Sequence, residues 1–199
     1  MTNCYVLAEP DRPAACWVVD PGLSPGPLLD YLRRNGLAAQ RILLTHCHAD
    51  HIAGVRAVKQ AFPHAVLTAP SRELGFLSDP VRNMSLPFGF PITAPEADQI
   101  VAPGEELALG SLVWRSLDTA GHTPGGLSYY CAAAGAVLTG DALFAGSIGR
   151  TNIPGACESK LLKNIRDNLL TLPDATRVLP GHGPVTSIGQ ERLTNPFLQ

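Results

Sequence analysis

Apolar and polar positions along the chain follow two periods, and each predicts an element. Short apolar runs bounded by Gly, Pro or Asp mark buried strands. Residues 4–8 (CYVLA) and 15–20 (ACWVVD) read as two strands joined by a Pro-rich turn at Pro10–Pro13, and Asp20-Pro21-Gly22 stops the second. Residues 41–45 (RILLT), 65–69 (AVLTA), 106–119, 126–132 (GLSYYCA), 136–140 (AVLTG) and 176–180 (TRVLP) read as further strands. Helical spacing governs the segments between them. In 24–36, Ser24 is placed to cap a helix, a Pro sits in its first turn, Leu28 and Leu32 share a face, and Gly36 ends it. In 52–62, Ile52, Val55, Val58 and Phe62 form an apolar face, and Pro63 stops it. The clearest helix is 158–173, with Leu161, Ile165, Leu169 and Leu172 on one stripe. In the last, 187–193, Ser187 and Gln190 are spaced as a capping box. Residues 71–99 are the least regular: one or two helical turns, then a Pro-rich excursion long enough to act as a lid or binding loop. This order predicts an α/β (α+β) protein with a sheet-on-sheet core and helices outside.

Composition narrows the class. At 199 residues the chain suits a single domain, residues 1–199, with a core that needs no staples. The net charge of -2 provides no basic field for nucleic acid or an anionic membrane surface. No apolar run approaches the ~20 residues of a membrane span, and the opening MTNCYVLAEP lacks the pattern of a signal peptide. Five scattered cysteines without a C-x-x-C pair suit a reducing compartment, so a cytoplasmic protein is expected.

The chemistry is concentrated at strand ends. Of six histidines, three fall within THCHADH, where His46, His48, Asp50 and His51 follow the strand RILLT. Three more strands run into a good metal donor: His122 after 106–119, Asp141 after AVLTG and His182 after RVLPG. Rigid strands delivering donors to loops is how α/β proteins build sites. Imidazole with carboxylate suits zinc, iron or manganese rather than calcium or magnesium. His46 and His48, two apart in an extended segment, face the same way, so one ion takes His46, His48 and His122. A second takes Asp50, His51 and His182. Asp141, with two oxygens, bridges both, leaving open positions of the catalytic type. His64, after Pro63 with no partner nearby, is left out. Asp20 reads chiefly as a turn residue, with a place beside the ligands as the alternative. Cys47 reads as packing.

These residues carry a resemblance. THCHADH, GHTPGG, TGDALF and LPGHGP, in this order from Thr45 to Pro184, resemble the metallo-β-lactamase superfamily. The family's αββα sandwich, two mixed β-sheets flanked by helices with a site at one edge, is the fold this implies. Within it, GDALFAGSIGRTNIPGA and GHGPVTSIGQERLTNPFL are similar to the small glyoxalase II-like hydrolases. The family's ligand positions fall on the same seven residues. Larger members carry a helical glutathione-binding domain after the last ligand, which is not expected here. By the same likeness, Arg150 falls where the family places a cationic substrate contact, and Asn152 takes the position of an aromatic one.

The reaction so implied is hydrolysis of a small-molecule thioester such as S-lactoylglutathione, by a hydroxide bridging two divalent ions, zinc first among them. Asp50 and Asp141 orient it and accept its proton, and Arg150 pairs with a substrate carboxylate. A monomer or homodimer is expected. The main rival is a persulfide dioxygenase with one iron on His46, His122 and Asp141, because THCHADH and GRTN resemble that branch as well. Lactonase and β-lactamase activities, a nuclease, which the acidic chain disfavours most, or a non-enzymatic role on the same fold complete the field.

Overall fold

The computed structural model describes residues 2–12 and 14–199, so Pro13 of the expected Pro10–Pro13 turn and Met1 lie outside the described residues. Strands β1 (Tyr5–Ala8), β2 (Ala15–Val19), β3 (Ala38–Leu43), β4 (Val66–Pro70) and β5 (Gln99–Val101) form one sheet in that order. β1 and β2 pair antiparallel, and β2 through β5 pair parallel. The second sheet contains β6 (Glu106–Leu109), β7 (Leu112–Asp118), β8 (Leu127–Cys131), β9 (Ala136–Gly140), β12 (Arg177–Pro180) and β13 (Thr186–Ser187), with β12 parallel to β9 and the remaining pairs antiparallel. A two-stranded ribbon, β10 (Leu143–Phe144) and β11 (Ser147–Ile148), follows β9.

Alternation along the strands explains the layering. Trp17, Val19, Leu43, Leu127, Tyr129 and Leu138 point between the sheets and form the central core. Their neighbours Cys16, Val18, Ile42 and Leu44 point outward and are covered by helices α1 (Pro25–Arg34), α3 (Val55–Ala61) and α4 (Leu74–Ser78). On the other flank Val137 and Val178 meet α5 (Glu158–Asn164) and α6 (Ile188–Thr194) through Leu161 and Ile188. Strands buried on both faces read as continuous apolar runs, which is why ILL and AVL were conspicuous in the sequence. The expected αββα sandwich is the observed one.

Several local expectations need correction. Ser24 precedes α1 but makes no side-chain cap bond. The helix expected over 52–62 is two pieces, α2 (Ala49–Ile52) and α3. Gly54 separates them: its N–H turns to the Pro21 carbonyl at 2.8 Å, and any Cβ there would lie 2.8 Å from that same oxygen. The long C-terminal helix widens into a π segment at Ile165–Leu169, where the Leu170 N–H reaches back to the Ile165 carbonyl. The wider turn keeps Leu161, Ile165 and Leu169, each four apart, on one buried face. Only half the capping box forms: Ser187 Oγ accepts from the Gln190 N–H at 3.2 Å, while the Gln190 side chain bonds Thr194.

Candidate metal centre

β2, β3 and β4 run in parallel, as do β7, β9 and β12, so their C-terminal ends meet along one edge of the sandwich. Asp20 follows β2, His46 and His48 follow β3, and Asp50 and His51 lie in α2. His122 follows β7, Asp141 follows β9 and His182 follows β12. The fold therefore brings together all seven residues singled out by their position after strands.

Their donor atoms form three overlapping groups, His46/His48/His122, His46/His51/Asp141 and Asp50/His51/His182, each with atoms within 4.8 Å of one another. Nδ1 of His48 lies 3.0 Å from Nε2 of His122. One Asp141 oxygen lies 3.3 Å from His51 Nε2; the other is 3.6 Å from His122 Nε2 and 3.4 Å from His182 Nε2. Asp50 Oδ2 is 3.1 Å from His182 Nε2. His46 Nε2, His51 Nε2 and Asp141 Oδ1 are buried and make no well-aligned hydrogen bond, the last two meeting only each other at 3.3 Å. Buried polar atoms left without a good partner are costly, so three of them aimed at one space call for a cation. Gly181 is required by this crowding: a Cβ there would lie 2.2 Å from Asp141 Oδ1.

The outer contacts fix which ring nitrogen faces inward. Asp20 Oδ2 sits 3.0 Å from His51 Nδ1 and can only accept, so that nitrogen keeps a proton, and Nε2 is the one that would give up its proton and present a lone pair to a bound cation. The Arg150 backbone carbonyl does the same for His122 Nδ1 at 2.8 Å. Thr45 Oγ1 donates to Asp20 Oδ2 at 2.6 Å, and is thereby left to accept from His46 Nδ1 at 3.2 Å. Asp20 also accepts the Thr45 N–H at 2.9 Å. Its second role, the lesser alternative in the sequence reading, is the one its bonds display. Asp20 adopts φ +48, a left-handed conformation that Asp and Asn tolerate better than most residues.

Other members of this framework left no clear mark in the sequence. Glu73, fully buried just after β4, accepts the N–H of Cys47 at 3.2 Å and of Gly125 at 2.7 Å. It thus ties the loop carrying His46 and His48 to the loop carrying His122. Burial pushes its carboxyl upward, against the pull of those two N–H groups. Thr2 donates to Asp50 Oδ2 at 2.7 Å, and Asn3 donates to the carbonyls of Pro180 and Gly183 on either side of His182. The position of Glu73 after a buried strand was the available clue; the Thr2 contact spans 48 positions and the Asn3 contacts 177 and 180, and these had none.

Electrostatics divides the cluster. Burial holds the imidazoles of His46 and His122 below their ordinary value, and pulls His48 down to about 3, so all three are neutral donors at pH 7. Burial also works against a charged His51, but the carboxylates of Asp141 and Asp20 outweigh it and hold the ring well above the usual range. Hydrogen bonds to Asp141 and Asp50 raise His182 to about 9. Burial opposes ionisation of Asp50 and Asp141, yet the neighbouring histidines hold both below the usual carboxylate range. Protons on His51 and His182 thus balance carboxylate charge that a metal ion would otherwise neutralise.

The cluster opens into a cavity of about 660 Å³. His48, Asp50, His122, Asp141 and His182 line one side, and residues of the 71–99 excursion, among them Met84, Phe90 and Ile92, line another. Arg150 lines it too, whereas Asn152 does not: it is exposed, and the next residue, Ile153, faces the cavity instead. Cys47, buried in the outer core, points away from the cluster. His64 is exposed and belongs to none of the donor groups.

Comparison with known proteins agrees with this geometry. Residues 1–182 match the model of the metallo-beta-lactamase superfamily. The chain is 39% identical over 197 residues to the probable metallo-hydrolase YqgX of Bacillus subtilis, covering 98% of this chain and 92% of that protein. It is 34% identical over 198 residues to the hydroxyacylglutathione hydrolase GloC of Haemophilus influenzae, covering 98% and 92%. The crystal structure of the BLEG-1 B3 metallo-β-lactamase matches with a TM-score of 0.94 at 40% identity, covering 99% of this chain and 94% of that one. Sheet order, strand-end donors and similarity over nearly the whole length lead to one assignment: the chain belongs to the metallo-β-lactamase superfamily.

Proposed function

We propose that the protein is a dinuclear metallo-hydrolase of activated acyl compounds, with thioesters such as S-lactoylglutathione as the first candidates. The observation that carries this is the convergence of seven donors, three with buried atoms that make no well-aligned hydrogen bond, at the floor of an open cavity. In this reading His46, His48 and His122 would hold one ion and Asp50, His51 and His182 the other, with Asp141 a donor available to both. The mixed nitrogen and oxygen set suits zinc, iron or manganese. When bound, such ions acidify water and polarise an acyl carbonyl.

The chain's own groups supply the remainder. Asp50 faces the cavity, and its Oδ2 is positioned by Thr2 and His182. Together with Asp141 it orients the attacking water and takes up its proton. The thiolate is a good leaving group and needs no strong general acid. The Arg150 guanidinium pairs with a substrate carboxylate at the cavity wall. Similarity to GloC supports the thioester reading, while similarity to a B3 metallo-β-lactamase supports a second, ring opening of β-lactams.

The test is one preparation, analysed by elemental mass spectrometry and assayed against thioesters, β-lactams, lactones and glutathione persulfide. About two transition-metal ions per chain with thioester hydrolysis is the expected result. One tightly held iron with oxygen uptake on the persulfide would overturn it in favour of the dioxygenase.

A further inference from the structure

The cavity has a chemistry beyond its metal-donor floor. Its walls are Leu23, Met84, Phe90, Ile92, Phe144 and Ile153, all apolar. Two polar residues, Asn83 and Ser85, share the same wall, but the loop itself occupies their groups. Asn83 Nδ2 donates to the carbonyls of Phe76 at 3.0 Å and Ile92 at 2.8 Å, and its Oδ1 accepts the Ser85 N–H at 3.1 Å. Ser85 Oγ donates to the Pro80 carbonyl at 3.3 Å and accepts the Ile92 N–H at 3.0 Å. Outside the donor cluster, Arg150 is then the polar side chain left to a ligand among the cavity residues. The loop is also anchored to the site, because the Ala49 N–H, between His48 and Asp50, donates to the Asn83 carbonyl at 2.8 Å.

About 660 Å³ lies within the range of ~300–1,000 Å³ that holds drug-sized ligands. A lactoyl group is small, and its hydroxyl finds no free partner on the apolar wall. The wall gives a hydroxyl no compensating bond, whereas apolar surface placed against it is favoured. We infer that, within the thioester class, the preferred acyl group is bulkier and more apolar than lactoyl, aliphatic or aryl, seated against Met84, Phe90 and Ile92, with the anionic portion of the substrate toward Arg150. This rests on the hydrolase reading above and makes these three side chains determinants of acyl-group specificity.

The experiment uses metal-loaded protein and glutathione thioesters that share one thiol and differ in acyl group: lactoyl, acetyl, butanoyl, hexanoyl and phenylacetyl. kcat/KM is expected to rise about fourfold for each methylene buried, with lactoyl below hexanoyl. Phe90→Ala and Ile92→Ala should flatten the series; Phe90 is exposed, so its truncation removes no core packing. Calorimetry on the same protein gives a readout independent of turnover. Hexanoate should bind more tightly than acetate with a negative heat-capacity change, and Phe90→Ala should erase the difference. A flat or falling series in a protein that does hydrolyse thioesters would overturn the inference alone. If no thioester is hydrolysed, the reaction assignment fails, and hexanoate binding no better than acetate would then refute the apolar subsite as well.

Discussion

Asp20→Asn isolates the outer contacts of the centre. Asn tolerates the left-handed backbone at φ +48, so the turn survives. Its one remaining oxygen can still accept the Thr45 N–H. The position now taken by Oδ2, 3.0 Å from His51 Nδ1 and 2.6 Å from Thr45 Oγ1, becomes an NH2 donor. Two donors cannot face each other, so a neutral His51 ring, the form a metal needs, must carry its one proton on Nε2 instead of Nδ1. Nε2–H then points at Asp141, 3.3 Å away, and its lone pair is lost to a metal. Removing an outer partner of a liganding histidine costs ~10–100-fold in metal affinity, or about 1.4–2.8 kcal/mol. Chelator competition on the metal-loaded protein should show one of the two ions released at lower chelator concentration, because His51 belongs to one donor set more than to the other. Wild-type affinity for both ions with only kcat reduced would refute the reasoning, since it would mean that the carboxylate of Asp20 does not set the His51 tautomer.

Glu73→Ala leaves two buried N–H groups, of Cys47 and Gly125, without acceptors. At ~1–3 kcal/mol each, stability should fall by roughly 2–6 kcal/mol, read as a lower urea midpoint; an unchanged midpoint would mean that Glu73 is no brace. Gly181→Ala forces a Cβ to 2.2 Å from Asp141 Oδ1 and should abolish binding of at least one ion, checked by metal analysis of folded protein. His122→Ala and His182→Ala should each remove most activity, while His64→Ala, exposed and outside the donor groups, should change kcat/KM little. Near wild-type turnover in His182→Ala would point to a single-ion centre. Removing metal from the wild type should lower Tm, because ions that bind only the folded state stabilise it by mass action; an equal Tm with and without chelator would contradict a site built for cations.

The sequence by itself determined the layers and the ligand candidates. Strands buried on both faces need unbroken apolar runs, so ILL and AVL could be read without coordinates. A donor directly after such a strand inherits its position, and His46, His122, Asp141 and His182 were legible for that reason. Tertiary structure alone decided the relations between distant segments. Asp20 looked like a turn residue because its bond to His51 crosses 31 positions; Glu73 was not singled out because its partners lie 26 and 52 residues away. Asn152 and Ile153 are adjacent, and only the path of their loop selects which one faces the cavity. Gly54 breaks a good helical pattern through a carbonyl of another segment. Periodicity reports which face a residue turns to the core. It cannot report which donor or wall will stand opposite, because that depends on how separate elements pack.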